Sequence, residues 1–128
     1  MGNRQRSERL GRRAEFIAMI YLRITGHRIL AHRWRGSGGE IDIVAKRGSL
    51  LVFCETKFRQ RHDEAGIPSP HQRRRICRAA EEFMAGRQSL NAFQWRFDLV
   101  QISPPFAGSL NPVHHLKDAW RCDTRTTS

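Results

Sequence analysis

Two carboxylates and one amine are spaced so that together they could hold a metal ion and act on a phosphate. Asp42 lies in a strand-like segment, and Glu55 and Lys57 follow the apolar run at residues 50–54. Carboxylate oxygens suit a hard cation such as Mg²⁺, or Mn²⁺ in its place, which keeps bound waters and can share a substrate phosphate. Such a cation polarises the phosphoryl group and activates water. An ammonium group can orient that water or stabilise the charge that develops on phosphorus.

The three side chains meet only if the strand register brings them to one face of a sheet. The segment is predicted to form two strands joined by a tight turn at residues 47–48. Side chains alternate between faces along a strand, so Glu55 and Lys57 share a face. A two-residue loop at this turn places Asp42 opposite Phe53, on that same face and diagonal to Glu55. A slip of one residue would turn Asp42 away, so the register decides whether a site exists.

These charges also have a simpler interpretation, namely a surface hairpin with an exposed charged edge. The run at residues 50–54 argues against it, because a strand that is apolar on both faces lies in the middle of a sheet. Two carboxylates and an ammonium group at the end of such a strand are costly unless a partner compensates them. A divalent cation is such a partner.

The two strand segments resemble the YraN-like family of small bacterial proteins. The resemblance rests on Gly-Glu-Ile-Asp-Ile-Val-Ala at residues 39–45 and Leu-Val-Phe-Cys-Glu-Thr-Lys-Phe-Arg at residues 51–59, and it covers most of the chain. This family is assigned to the restriction-endonuclease-like PD-(D/E)xK superfamily, which is related in fold to Holliday-junction resolvases. The resemblance implies an α/β fold, with a single three-layer restriction-endonuclease-like domain at residues 1–122 and a mixed central sheet flanked by helices. The polar tail at residues 123–128 is expected to be disordered.

By this resemblance the chain carries the site residues of the superfamily. Asp42 and Glu55 would be metal ligands for Mg²⁺ or Mn²⁺, and both would be catalytic together with Lys57. Glu15 would be the auxiliary acid that the first helix supplies. The substrate would be DNA, in branched or structured form. A homodimer is expected by analogy, because cutting two strands needs two sites.

The charge of the chain favours the same class of partner. The formal net charge is +11 and the pI is near 11.3, which is high for 128 residues. A polyanion, most simply nucleic acid and DNA more than RNA, is the natural partner of such a surface. An arginine-rich genomic bias is the alternative, since arginine replaces lysine everywhere except at Lys46, Lys57 and Lys117. Lysine can shift its pKa and serve in catalysis, so a lysine at the proposed centre favours function.

Length and cysteine usage limit the remaining possibilities. A chain of 128 residues is expected to form one domain with one core. No apolar run reaches the length of a membrane helix or resembles a signal peptide, so no membrane partner is expected. Cys54, Cys77 and Cys122 are scattered and include no Cys-x-x-Cys pair. This pattern predicts a reducing compartment, here the cytoplasm, with core packing as the role of the cysteines and no structural zinc site.

The first helix is predicted at residues 7–25, with Ser7 as its N-cap. Its apolar stripe is a set of residues at helical spacing: Leu10, Ala14, Ile17, Tyr21 and Ile24. Glu15 lies beside this stripe and could reach toward the metal ion or toward Lys57. Pairing with an arginine such as Arg12 is the alternative.

Arginines near the candidate site could contact a nucleic-acid backbone. Residues 28–35 are predicted to form an edge strand, in which Arg33 and Arg35 flank Trp34. Trp34 could stack on a base, and a half-buried position in the core is an equal alternative. The glycine-rich residues 36–39 lack the Lys-Ser/Thr of a Walker-A motif and are predicted to form a turn.

A second helix is predicted to begin at the end of the polar loop at residues 60–70. Ser69 is its N-cap, Pro70 takes the first helical position, and Gln72 completes a capping box. The resemblance also makes Gln72 a candidate contact to substrate, but His71 stands where the family has a lysine. The arginines that follow predict either a cationic rim for phosphates or a solvated helix face. The candidate nucleic-acid contacts are Arg33, Arg35, Arg59, Gln72, Arg73 and Arg74.

Two further strands are predicted at residues 94–102 and 113–116. The segment Arg-Phe-Asp at residues 96–98 resembles part of the family. Asp98 could be an acid that supports the metal ligands without binding the metal ion itself. Pairing with an arginine is the alternative. Trp120 is expected to anchor the end of the chain in the core.

Two functions from different classes are consistent with these residues. The first is a metal-dependent nuclease that hydrolyses phosphodiester bonds in DNA. The second is a nucleic-acid-binding module on the same fold, whose acidic cluster is inherited but inactive. The intact set of Asp42, Glu55 and Lys57 favours the enzyme. The small size of the chain, with no separate DNA-reading element, keeps the binding module open.

Overall fold

The central sheet has five strands, and one helix packs on each of its faces. The computed structural model describes residues 2–60, 66–104 and 111–122. Within these residues the elements are α1 (Gly2–Ile24), β1 (Arg28–Arg35), β2 (Glu40–Arg47), β3 (Leu50–Phe58), α2 (Pro70–Ala85), a 3₁₀ turn (Gln88–Leu90), β4 (Gln94–Ile102) and β5 (Val113–Trp120). The tail at residues 123–128, predicted to be disordered, lies outside the described residues.

The strands follow one another across the sheet in the order β1-β2-β3-β4-β5. β3 and β4 are parallel, and the other neighbouring pairs are antiparallel. A parallel pair needs a long crossover, and the connection that contains α2 supplies it. α1 packs against one face of the sheet and α2 against the other. The predicted α/β class, a three-layer arrangement with a mixed central sheet, is confirmed.

Small residues bring α1 close to the sheet. Ala14, Ala18 and Leu22 are 1%, 0% and 0% exposed, whereas Ile24 of the predicted stripe is 78% exposed. The buried face is therefore rotated away from the predicted one, because the alanines let the helix backbone approach the strands. The predicted start at Ser7 is also wrong, since α1 begins earlier in the chain. No helix in the described ranges is long and apolar enough to cross a membrane.

The hairpin of β2 and β3 is paired two residues away from the predicted register. Arg47 pairs with Leu50, so the loop comprises residues 48–49 rather than residues 47–48. Gly48 opens this loop with a φ of 59°, a conformation that glycine adopts without strain. A shift of two residues keeps every side chain on its face of the sheet, because the side-chain period is two.

α2 begins as the sequence predicts. Oγ of Ser69 accepts a hydrogen bond from the backbone N–H of Gln72 at 3.2 Å. On the buried face of α2, the ring of Phe83 contacts Trp34 edge-on, with 5.4 Å between the ring centroids. Trp34 also packs against the buried cluster on this side of the sheet. The half-buried interpretation of Trp34 therefore matches the structure.

Two of the three cysteines form a disulfide, which contradicts the prediction of scattered thiols that only pack in the core. Cys77 of α2 is bonded to Cys122, and their Cα atoms are 5.9 Å apart. Cys54 is a free and buried thiol. The bonded pair has no signature in the sequence, because 45 residues separate its members and only the packing of α2 beside the end of β5 brings them together.

Candidate metal centre

Asp42 lies where β2 separates from β3. The backbone pairing of these strands ends next to Asp42, and continuing the register places Asp42 opposite Glu55 rather than the predicted Phe53. The backbone N–H and the hydroxyl of Thr56 both donate to Oδ2 of Asp42, at 2.9 and 3.2 Å. The carboxylate thus takes the place of a strand carbonyl as the acceptor for this N–H, and this fixes its orientation.

Glu55 is a buried carboxyl group that touches Asp42. It is 8% exposed at the end of the apolar part of β3, and it shares a side-chain hydrogen bond with Asp42. Burial, and then the hydrogen bond and the charge of Asp42, raise the pKa of Glu55 to about 9, while Lys57 opposes the rise. Glu55 therefore keeps its proton at neutral pH, and a cation could replace that proton.

The three predicted side chains lie in one cavity of about 340 Å³ between the sheet and α2. The residues that line it are Glu15, Glu40, Asp42, Glu55, Thr56, Lys57, Gln72, Arg75 and Ile76. Nε2 of Gln72 donates to Oε2 of Glu55 at 3.2 Å. The Gln72 side chain, which the sequence assigns to a capping box, therefore reaches into the cavity instead. The N-terminal cap of α2 uses the backbone N–H of Gln72.

Glu15 of α1 lines the cavity, and its carboxylate is bound by β1. Oε1 of Glu15 accepts from Nε2 of His32 at 2.9 Å and from Nε of Arg33 at 2.8 Å. The partner arginine is thus Arg33 rather than Arg12. Arg33 has a φ of 53°, a left-handed conformation that costs a residue other than glycine roughly 1–3 kcal/mol. The negative charge of Glu15 also contributes to the raised pKa of Glu55, which places Glu15 near the carboxyl pair.

The predicted nucleic-acid contacts are spread over two sides of the molecule. Nε of Arg35 pairs with Oε2 of Glu40 at 3.0 Å, beside the cavity. Arg59 follows β3, and its backbone N–H donates to a carbonyl at the end of β4 at 2.8 Å. Arg73 and Arg74 line a different cavity. Contact with nucleic acid stays a prediction for all of these residues.

Three polar lining residues are absent from the predicted site, namely Glu40, Thr56 and Arg75. The sequence does contain a signal that places Glu40 at the site, because Glu40 lies two residues before Asp42 and alternation gives both side chains the same face. Arg75 also has one, since it lies three residues after Gln72 and helical spacing places the two side by side. Thr56 has none, because alternation turns its side chain to the other face. Its contact with Asp42 exists only because β2 separates from β3.

The carboxylate oxygens fit a divalent cation that keeps most of its water ligands. Among the described residues no group of three or more His, Cys, Asp or Glu side chains could enclose a metal ion. Asp42 and Glu55 supply two carboxylates, and Mg²⁺ at phosphate-handling sites is usually held by one or two carboxylates with waters and substrate. The proton that Glu55 keeps beside Asp42 marks the place where a cation would compensate negative charge. The pair therefore fits an open Mg²⁺ or Mn²⁺ site.

Asp98 belongs to a separate network on the face of the sheet that packs against α1. It is 0% exposed and pairs with Nε of Arg96 at 2.8 Å and with Nε2 of His115 at 2.7 Å. The hydroxyl of Tyr21 lies 2.8 Å from Nδ1 of His115. Burial would raise the pKa of Asp98, but hydrogen bonds from His115 and Arg96 outweigh it and lower the pKa to about 2. Asp98 therefore has an arginine partner and ties α1, β4 and β5 together.

Comparison with known sequences gives the same assignment as the strand motifs. Residues 14–102 match the model of the uncharacterised protein family UPF0102. A UPF0102 protein of Maricaulis maris is 47% identical over 102 residues, which are 79% of this chain and 80% of the relative. One of Paramagnetospirillum magneticum is 44% identical over 125 residues, 93% and 92% of the two chains. One of Caulobacter vibrioides is 39% identical over 115 residues, 89% and 88%. The chain therefore belongs to the uncharacterised protein family UPF0102, the YraN-like family that its strands resemble.

Proposed function

We propose that this protein is a metal-dependent nuclease that hydrolyses phosphodiester bonds in DNA. The proposal rests on one observation, namely that the buried Glu55, whose pKa is raised beside Asp42, lies with Asp42 in the same cavity as Lys57. Buried like charges are costly without a compensating partner, so this pair supports a cationic ligand. The net charge of +11 supports a polyanionic substrate.

Asp42 and Glu55 would hold the cation, Mg²⁺ or Mn²⁺. When bound, the ion would polarise the phosphoryl group and make water a better nucleophile. Thr56 holds Asp42 in place through two hydrogen bonds, and Gln72 holds Glu55 through one. Support of this kind orients metal ligands, and its loss typically lowers metal affinity or activity by about 10–100-fold.

Lys57 lines the same cavity as Asp42 and Glu55, and this supports a role for its amine at the scissile phosphate. In hydrolysis the water oxygen forms a bond to phosphorus and the bond to the leaving sugar oxygen breaks. The water gives a proton to solvent, and the leaving oxygen takes one up. The Lys57 ammonium donates hydrogen bonds to a non-bridging oxygen or to the attacking water and so stabilises the developing charge. Glu15, held by His32 and Arg33, adds negative charge that favours a cation in the cavity.

A cleavage assay on plasmid DNA and on a synthetic four-way junction, with Mg²⁺ or Mn²⁺, tests the proposal. The wild-type protein is expected to cut only when a divalent cation is present. Asp42→Ala and Glu55→Gln should lower the cutting rate by about a hundredfold or more, because polarisation by a metal ion is worth several kcal/mol. Lys57→Met should lower the rate by about 10²–10³-fold while it keeps Mn²⁺ binding, measured by titration calorimetry.

Arg28→Ala is the matched control for these variants. Arg28 is exposed at the start of β1, where it pairs with Lys46 of β2. Glu40, which lines the cavity, lies at the opposite end of β2. Its loss removes one cation without touching the cavity, so cutting should persist. Cutting that persists in Asp42→Ala as well would overturn the proposal. Salt-sensitive DNA binding without cutting under any metal would instead identify the nucleic-acid-binding module that the sequence leaves open.

Other properties of the proposed enzyme are predictions of the resemblance. Branched or structured DNA is the expected substrate class, and the four-way junction in the assay tests it. A homodimer is expected by analogy, and sedimentation of the protein with and without junction DNA measures it. The cytoplasm is the predicted compartment, where Cys77 and Cys122 would be thiols for much of the time.

A further inference from the structure

A groove on the side of α2 away from the metal centre carries arginines and an exposed tryptophan. It consists of two cavities, of about 560 and 570 Å³, that share Trp120, Arg121 and Cys122. Because three residues line both cavities, the cavities are adjacent, and we call them together the α2–β5 groove. One cavity runs along α2 and the other along the start of β4. The disulfide between Cys77 and Cys122 joins α2 to the opposite wall.

The α2 wall of the groove is strongly cationic. Arg73, Arg74 and Arg78 line the cavity along α2 together with Arg121, and Glu81 is the carboxylate that the described residues contribute to it. Within the part of the chain that the structure describes, the three arginines of α2 form no salt bridge. Arg74 and Arg78 are one helical turn apart and form a row on the helix surface. Guanidinium groups without a carboxylate partner on a concave surface are suited to phosphate groups.

The β4 wall of the groove presents an aromatic ring. Trp95 is 41% exposed. Its ring packs on Phe53 and Phe97, with 5.7 and 6.4 Å between the centroids. A large ring that is supported on one side and open on the other can stack on an unpaired base. Asp118 also lines this cavity, but it is paired with Arg121 at 3.1 Å, which reduces its repulsion of a phosphate.

We propose that the α2–β5 groove binds a single-stranded segment of nucleic acid, with phosphates on the arginines and a base on Trp95. Sites for single strands combine a cationic track with a stacking ring, whereas the bases of a duplex are stacked on one another. The groove is distinct from the metal centre. Trp95 pairs with Leu51 on β3, which is roughly 13 Å along the strand from Glu55 at about 3.3 Å per residue. Binding there does not depend on the proposed nuclease activity.

Fluorescence anisotropy with a labelled short oligothymidylate and the full chain, in EDTA and at several salt concentrations, tests this proposal. Arg74→Ala/Arg78→Ala should weaken binding by about tenfold or more. The slope of log affinity against log salt should fall by about 1.4, because each phosphate contact with a single strand contributes about 0.7. The matched control is Arg23→Ala/Arg28→Ala, which removes the same charge from exposed positions of α1 and β1. The control should leave affinity and slope nearly unchanged.

Tryptophan fluorescence gives a second readout that net charge alone would not change. Oligothymidylate should quench the emission of Trp95, which is 41% exposed, whereas Trp120 is 5% exposed. Trp95→Phe should lose this quenching and keep the affinity, because phenylalanine still stacks on a base. A duplex of the same length should not quench the wild type.

Three outcomes would overturn the proposal. The first is equal weakening by the two double-arginine variants, since binding would then follow net charge and not the groove. The second is quenching that persists in Trp95→Phe, and the third is equal quenching by the duplex. Thermal melts of each variant confirm that it is folded. Because EDTA removes divalent cations, these results stand whether or not the protein cuts DNA.

Discussion

The chemistry of the proposed site depends most on Glu55. Its carboxyl group is buried next to Asp42, and both burial and this neighbour raise its pKa, to about 9. In the metal-free protein the group is therefore neutral at neutral pH, and its ionisation is unfavourable. A divalent cation reverses this preference, because it favours ionised carboxylates. Metal affinity is therefore expected to increase as the pH rises.

The stability of the metal-free protein should fall as the pH rises. An unfolded glutamate ionises near 4.5, whereas folded Glu55 keeps its proton up to about 9, so between these values the folded state binds more protons. Below pH 4.5 Glu55 contributes fully to the free energy of unfolding. As the pH rises from there toward about 9, this contribution is lost with a slope of at most about 1.4 kcal/mol per pH unit. Melting temperatures in EDTA across this pH range measure the decline.

Glu55→Gln is the control, because it removes the titrating group and keeps its shape. In EDTA this variant should show a shallower decline and a higher melting temperature than the wild type on the alkaline side of neutrality. Addition of Mn²⁺ should raise the melting temperature of the wild type but not that of Glu55→Gln. A wild-type profile as flat as that of the variant would contradict a buried and protonated Glu55.

Gln72 positions Glu55, and its removal should affect metal affinity rather than folding. Its amide donates to Oε2 of Glu55 at 3.2 Å, and its backbone N–H caps α2. Gln72→Ala removes the first bond and keeps the second, so α2 should form while Mn²⁺ affinity falls by about 10–100-fold. Titration calorimetry measures the affinity. Gln88→Ala, at an exposed position in the 3₁₀ turn, is the control, and equal affinities in both variants would rule out the positioning role.

At the scale of elements, the contact between the loop at residues 36–39 and α2 couples the two walls of the cavity. The carboxylate of Glu82 accepts hydrogen bonds from the backbone N–H and the hydroxyl of Ser37. Nε of Arg75 donates to the carbonyl of Gly38 at 3.4 Å. The chain then enters β2, so the loop links the helix that carries Gln72 to the strand that carries Asp42.

Gly39 permits this close contact, and Gly39→Ala should destabilise the protein. A Cβ at this position would lie 2.5 Å from the carbonyl oxygen of Arg75, which cannot move unless α2 shifts. Overpacking of this kind costs about 1–3 kcal/mol. Gly11→Ala is the control, because nothing lies within 4 Å of a Cβ at Gly11 in α1, and alanine stabilises a helix by about 0.5–1 kcal/mol relative to glycine. Urea denaturation should give opposite signs for the two variants, and destabilisation by both would contradict the packing argument.

The sequence specifies the elements better than the way they fit together. The strands and α2 carry local signals, whereas loops at residues 47–48 and at residues 48–49 satisfy the same turn rules. Only the packing of both strands decides between these loops. The face of Asp42 is nevertheless predicted correctly, because a shift of two residues preserves it. The buried face of α1 is not predicted correctly, because burial of Ala14 and Ala18 depends on how closely the helix approaches the sheet.

At the scale of the whole molecule, the cavity draws on segments that are far apart in the chain. α1 supplies Glu15, the hairpin supplies Asp42 and Glu55, and α2 supplies Gln72. The hairpin residues carry a dense local motif, so the sequence alone identifies them. Capping explains Gln72 equally well in the sequence, and its contact with Glu55 appears only once α2 packs on the sheet.

The disulfide between Cys77 and Cys122 should contribute strongly to the stability of the whole chain. It closes a loop whose ends are 45 residues apart, and restricting the unfolded chain in this way is worth about 2–4 kcal/mol. Dithiothreitol should therefore lower the melting temperature of the oxidised protein by about 10 °C. Cys77→Ser/Cys122→Ser should melt at the lower temperature with or without reductant, and Cys54→Ala should remain sensitive to it. A wild-type melt that does not respond to reductant would show that packing of Trp120 on Phe97, 5.5 Å between centroids, holds the end of the chain without the bond.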